Sequence, residues 1–407
     1  MINIQPYQNP EYFILLVIGL LPIMIGLLYG RRFRTYETLI SIAFLVLTFG
    51  GVKWHQGIAL IGYVVFELLL IAWYFNYRQK HNKSWVFCLA VILAIVPLVI
   101  VKLTPLFDFN KESIFGFLGI SYLTFKVVGM IMEIRDGMIK EFHPWTTLQF
   151  IIFFPTISSG PIDRYRRFKK DYDNIPDREK YVKMLEKAVH YLFLGFMYKF
   201  VLAYFFGQYL MPKVDALAIA HGGWSIWVFL HGYVYAMDLF FDFAGYSLFA
   251  VATSYVMGIE TPMNFNKPWI SHNVKDFWNR WHMTLSFWFR DYIYMRLIFF
   301  MMKKKWLKSR IAMANIGYLT LFLIMGFWHG ETWYYIAYGL FQAIAMIVCD
   351  AWQRFKKKHR DMIPHNKFTE AFAIFLTFNV MCFSLLIFSG FLNTMFIFLI
   401  IPHSLLF

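Results

Sequence analysis

The chain has 407 residues, of which 59% are hydrophobic and 15% charged, and its formal net charge is +15. Soluble domains average roughly 45–50% apolar and 25% charged residues, so this composition excludes a single water-soluble core and makes the bilayer the natural solvent. The positive charge sits in short clusters between apolar runs, which fits membrane topology and anionic lipid and gives no reason to expect nucleic acid.

Apolar runs close to the roughly 20 residues needed to cross a bilayer occur at 13–30, 36–51, 57–76, 85–103, 114–133, 187–211, 224–257, 311–328, 333–351, 370–389 and 391–407. They predict an all-α, polytopic membrane protein with about eleven transmembrane helices, folded as a single membrane-embedded domain over 1–407. The first run lacks a small-residue cleavage site and reads as a retained span. Basic clusters follow the first run (Arg31, Arg32, Arg34), the third (Arg78, Lys80, Lys83), the fifth (Arg135, Lys140) and the ninth (Arg354, Lys356, Lys357, Lys358). The intervening linkers 104–113 and 212–223 carry few, so the positive-inside rule places the N-terminus outside and the C-terminus inside.

Three stretches depart from this pattern. Residues 146–157 are apolar but too short to span, which predicts a re-entrant or interfacial element. Segment 163–187 mixes charges with Tyr, Met and Leu, as does a helix lying on the membrane surface. Segment 258–310 is too polar for lipid and too aromatic for a free loop, which predicts a set of short helices at the interface or folded into the bundle.

The densest chemical constellation lies in that last segment: Phe277-Trp-Asn-Arg-Trp-His282-Met-Thr-Leu-Ser286-Phe-Trp-Phe-Arg-Asp291. On a continuous helix, Trp278, His282 and Ser286 share one face. With Asn279, Arg280 and Trp281 they are the candidate substrate-contacting residues around His282. The same composition also suits an interfacial aromatic belt, but a histidine in or near lipid is costly without partners. A second feature, Gly326-Phe-Trp-His329-Gly330-Glu331, puts a histidine at the end of one span before a very short turn. Imidazole is the usual general base near neutral pH, and the flanking glycines allow a substrate to approach the backbone closely. An ordinary polar turn, with Glu331 as a loop charge, would look the same.

Asp238 and Asp242 lie four apart in an apolar run; an ion site or acid/base pair is one reading, and pairing with a nearby cation or backbone amide the other. The three cysteines, Cys88, Cys349 and Cys382, are scattered in apolar runs without a CxxC pair, so no metal site or disulfide framework is expected. No Walker loop, GxSxG elbow or HExxH occurs.

Several segments together resemble the membrane-bound O-acyltransferase family. They are Gly119-Ile-Ser-Tyr122-Leu-Thr-Phe125, Ser159-Gly160-Pro161-Ile162-Asp163-Arg164, Phe241-Asp242-Phe-Ala-Gly245-Tyr246-Ser247, Asn264-Phe265-Asn266-Lys267-Pro268 and the two histidine segments. Arg135-Asp136-Gly137 and the short lead into the first span resemble the family's D-alanyl-transfer branch, with the bacterial alginate O-acetylases as neighbours. The first hundred residues carry no motif of the family. The resemblance implies a helical bundle with a mid-membrane reaction centre, His329 as the catalytic histidine and His282 as a second, supporting one. It implies no permanently bound cofactor. The donor would be D-alanine on the phosphopantetheine thioester of a small acidic carrier protein at the cytoplasmic face, and the acceptor lipoteichoic acid or an acylated intermediate leading to it. Three other functions stay open: polysaccharide O-acetyl transfer within the same family, a transporter or flippase using Asp238 and Asp242, and a scaffold that only docks the carrier.

Overall fold

The computed structural model describes residues 4–107, 113, 116–359, 362 and 366–394, and these contain helices and no strand. Among the described residues, eight helices are long and apolar enough to cross a membrane: Pro10–Leu28, Gly51–Lys80, Ser84–Thr104, Arg178–His221, Ile226–Val256, Arg310–His329, Trp333–Lys358 and Lys367–Phe388. They correspond to eight of the apolar runs read from the sequence. The runs at 36–51 and 114–133 fold as the 16-residue helices Arg34–Phe49 and Ile120–Arg135. The last run lies outside the described residues from position 395 onward, as do 108–112 of the linker before 114. The protein is therefore a multi-pass, all-α membrane protein. Local chemistry marks helix starts: Ser309 accepts from Ala312 N–H at 3.3 Å, and Asn366 with Thr369 forms a reciprocal capping box.

The described chain divides into two compact units, Met1–Gly195 with Tyr246–Met263, and Phe196–Gly245 with Asn264–Phe407. In the first, Ile120–Arg135 is almost wholly buried. Its Lys126 ammonium donates to Phe150 O at 3.2 Å and Thr156 Oγ1 at 3.1 Å. That clamp holds the short element expected at 146–157, which is a helix over Pro144–Ile151 and a tight turn over Phe154–Thr156.

Within 163–187, read from the sequence as one helix, a separate short helix spans Tyr165–Asp173 and buries Tyr165, Phe168 and Tyr172. From Arg178 onward the same stretch begins a 44-residue helical segment. The break falls at Pro176, which has no N–H to continue a helix. Arg32, one of the topological charges, has a side chain only 2% exposed; it donates to the Met257 and Gly258 carbonyls at 3.1 and 3.2 Å.

In the second unit, residues 264–309 form the expected series of short helices: Pro268–Ile270, Val274–Trp278, Met283–Phe289, a π-helical turn Arg290–Tyr294 and Met295–Lys303. A longer π-helix runs over Met197–Leu210. Helices Arg310–His329 and Trp333–Lys358 cross with backbones nearly touching. A Cβ on Gly326 would meet Tyr335 O at 2.6 Å, and one on Gly339 would meet Phe322 O at 2.5 Å. Small residues that admit such approach are a common means of packing helices in lipid, where apolar side chains gain little by leaving the solvent.

Candidate active site

His329 is the last residue of its span and is half-buried. Four aromatic rings surround it: Trp328 at 4.5 Å between centroids, Phe388 at 4.8 Å, Tyr335 at 6.0 Å and Tyr338 at 6.2 Å. Gly330 is extended, and a Cβ there would strike the Tyr335 ring at 2.6 Å. The expectation that Gly326 and Gly330 open the backbone to substrate is thus corrected. The space they leave is filled by the next helix and by Tyr335, which the missing side chains bring against His329. Glu331 is exposed in the turn.

His282 is placed differently. Helix Val274–Trp278, capped by Asn273 accepting from Asp276 N–H at 2.9 Å, ends at Asn279. The fully buried Asn264 then clips the returning chain: its carbonyl accepts from Met283 N–H at 2.8 Å and its side-chain oxygen from the Thr284 hydroxyl at 2.5 Å. Asn266 N–H donates to Arg280 O at 2.9 Å. His282 sits in this break at φ 42°, in the left-handed region that histidine populates more readily than most residues, and heads Met283–Phe289. The single face of Trp278, His282 and Ser286 therefore does not form. Tertiary hydrogen bonds to Asn264 and Asn266 override the helical period.

The His282 side chain is buried against Phe243, 4.7 Å away at 86°. Burial, and then the nearby charge of a protonated His329, push the His282 imidazole down to about 3. The structure thus brings the two histidines within electrostatic reach of each other, and His282 is neutral across the physiological range.

The remaining candidates separate into two groups. Trp278, Asn279 and Ser286 line one cavity of about 290 Å³, near the lower end of the usual ligand-pocket range, with Lys275 and Arg290 also on its wall. Asn279, Lys275 and Arg290 are exposed, giving an otherwise apolar cavity a polar rim. Arg280 is not on that wall; its Nε donates to Asp276 Oδ1 at 2.8 Å. Trp281 packs into an aromatic cluster with Phe265 at 5.2 Å, Phe277 at 5.4 Å and Trp269 at 5.5 Å. Those two residues support the segment and do not face the cavity.

A connecting network escaped the sequence reading. Trp278 Nε1–H donates to Gln342 Oε1 at 3.2 Å, and Gln342 Nε2 donates to Ser384 Oγ at 2.8 Å. Gln342 also lies within hydrogen-bonding reach of the Tyr338 hydroxyl, and Tyr338 borders His329. A lone glutamine in the apolar run 333–351 was the available signal, because polar groups inside a bilayer are costly unless partnered. Phe388 and Tyr335 carried no such signal. The Asp242 carboxylate accepts from the Lys199 ammonium, so the cation-pairing reading holds for it.

A model of the membrane-bound O-acyltransferase family matches residues 131–389. The chain is 59% identical to a teichoic acid D-alanyltransferase of Lacticaseibacillus rhamnosus, covering 97% of this chain and 99% of that protein. It is 49% identical to a protein of the same description from Bacillus subtilis, covering 95% and 98%. A probable alginate O-acetylase of Pseudomonas aeruginosa is 27% identical, over 81% of this chain and 63% of its own length.

Proposed function

The chain belongs to the membrane-bound O-acyltransferase family and is an acyltransferase, and we propose that it transfers D-alanine to a hydroxyl of a teichoic acid. The observation that carries this reading is the near-full-length likeness, at 49–59% identity, to proteins described as teichoic acid D-alanyltransferases. The O-acetylase alternative rests on more distant relatives. The transporter reading loses support from the Lys199–Asp242 ion pair, which gives Asp242 a structural partner.

In the finer reading, the donor is a D-alanyl thioester on the phosphopantetheine of a small acidic carrier protein, and the acceptor is lipoteichoic acid or an acylated intermediate on the way to it. The carrier docks on the cytoplasmic side, with the N-terminus of the chain outside and the C-terminus inside. The basic cluster Lys303-Lys304-Lys305 offers an acidic carrier complementary charge. The cavity walled by Trp278, Asn279 and Ser286 offers an apolar slot with a polar rim for the pantetheine arm.

His329 takes the proton from the acceptor hydroxyl as its oxygen attacks the thioester carbonyl. The C–O bond forms, the C–S bond breaks, and His329 returns the proton to the leaving thiolate. His282, held neutral by burial, or Asn279 positions the thioester or supports the oxyanion. The aromatic rings around His329 exclude water, which would otherwise compete as acceptor. The test is transfer from D-alanyl-loaded carrier to teichoic acid by purified protein, compared with His329→Ala. Transfer by the intact protein and loss in a folded variant supports the assignment; a normal rate in the variant overturns the role of His329.

A further inference from the structure

Helix Ile226–Val256 places His231, Tyr235, Asp238 and Asp242 at spacings of four, three and four along one stripe. Two of them have evident partners. His231 Nδ1 is 2.6 Å from Asp215 Oδ1, and Asp242 holds the Lys199 ammonium. Asp238 differs: among the described residues no hydrogen bond or ion pair engages its carboxylate, and Lys199 reaches it only through a longer-range attraction. Two carboxylates thus stand against one ammonium in a membrane-spanning helix, where an unmatched charge is costly.

Two further observations place this carboxylate. It lies directly on Gly207 of the facing π-helix, where any Cβ would collide with its oxygens, so the backbone has been cleared for it. It is also within electrostatic range of Tyr235, which in turn is within that range of Tyr335 and Tyr338, the rings that border His329. Asp238 is therefore on the side of Tyr235 that faces these rings electrostatically, in the same compact unit as the histidine assigned to the chemistry.

We propose that Asp238 receives the α-ammonium of the D-alanyl group and sets the preference for an aminoacyl donor over a plain acyl donor. D-alanyl carries a positive charge that acetyl and propionyl lack. A carboxylate with unused acceptor capacity in the same unit as His329 is the complementary group. The inference rests on the reading of a D-alanyl thioester as donor.

The experiment measures binding of D-alanyl-pantetheine and propionyl-pantetheine, which differ only at the ammonium, to the full-length protein and to Asp238→Asn. The intact protein is expected to favour the D-alanyl thioester by on the order of tenfold or more, the range of a charge-assisted hydrogen bond. Asp238→Asn is expected to bind both alike, with its affinity for the propionyl thioester retained, and Asp238→Glu to recover part of the preference. Gly207→Ala, which pushes the carboxylate away, is a second route to the same loss. Equal binding of both thioesters by the intact protein overturns the assignment while leaving the donor reading standing. A variant that weakens both equally shows a structural role and overturns it too. If the intact protein binds neither thioester, the donor reading falls and takes this inference with it.

Discussion

His329 and His282 are presented by opposite kinds of backbone. His329 ends a 20-residue apolar helix and needs no special conformation; its surroundings come from rings on two neighbouring helices. His282 sits in a left-handed break between two short helices, and its position is set by hydrogen bonds to Asn264 and Asn266. One is half-buried, the other buried and neutral. In the proposed reaction that difference divides the labour: the accessible imidazole accepts and releases the proton, while the buried one directs a hydrogen bond.

The largest expected effect tests that division directly. His329→Ala should lower D-alanyl transfer by about 100-fold or more, the usual contribution of a general base, while the thermal melt of the purified protein stays near that of the intact chain. His282→Asn, which tolerates the left-handed backbone, should lower transfer by a smaller factor. The comparison breaks if His282→Asn abolishes transfer while His329→Ala retains it.

Next in size is the packing that holds His329. Gly326→Val forces a side chain into the Tyr335 backbone and should destabilise the protein by about 1–3 kcal/mol, read as a lower melting temperature in detergent. A melting point unchanged by this substitution removes the role assigned to the helix crossing.

Gln342→Leu removes the group joining Trp278, Ser384 and the Tyr338 side of the His329 cluster. It should cost about 1–3 kcal/mol, because it leaves the buried indole N–H of Trp278 without its acceptor. Donor KM should rise, because Trp278 walls the cavity; an unchanged KM with a lowered kcat places the network on the His329 side instead.

The last test is one of pH. The His282 imidazole in the folded protein is depressed from its ordinary value of 6.5 to about 3, so on acidification the unfolded chain takes up a proton before the folded one. Stability on account of this group is therefore full above about 6.5 and falls as pH drops toward 3. His282→Asn should flatten that part of the stability profile, measured as melting temperature between pH 7 and pH 4. An unchanged slope means that His282 is not buried neutral.

Much of this was legible in the residues themselves. Hydropathy is a local, additive property, so eight of the apolar runs emerge as helices fit to cross a membrane, and the mixed composition of 258–310 does fold as short helices. The sequence by itself also singled out both histidines, and its motifs pointed to the family. The tertiary structure alone decided the rest. The helical period placed Trp278, His282 and Ser286 on one face, and Asn264 broke it with bonds that no local window can contain. Gly326 and Gly330 are permissive in any sequence reading; only the neighbouring helix shows that they admit Tyr335. Asp238 and Asp242 are indistinguishable in an apolar run, and Lys199, some forty residues earlier, engages Asp242 and leaves Asp238 to its own chemistry. Such pairings depend on which surfaces meet, and that is set by packing and not by the residues' own preferences.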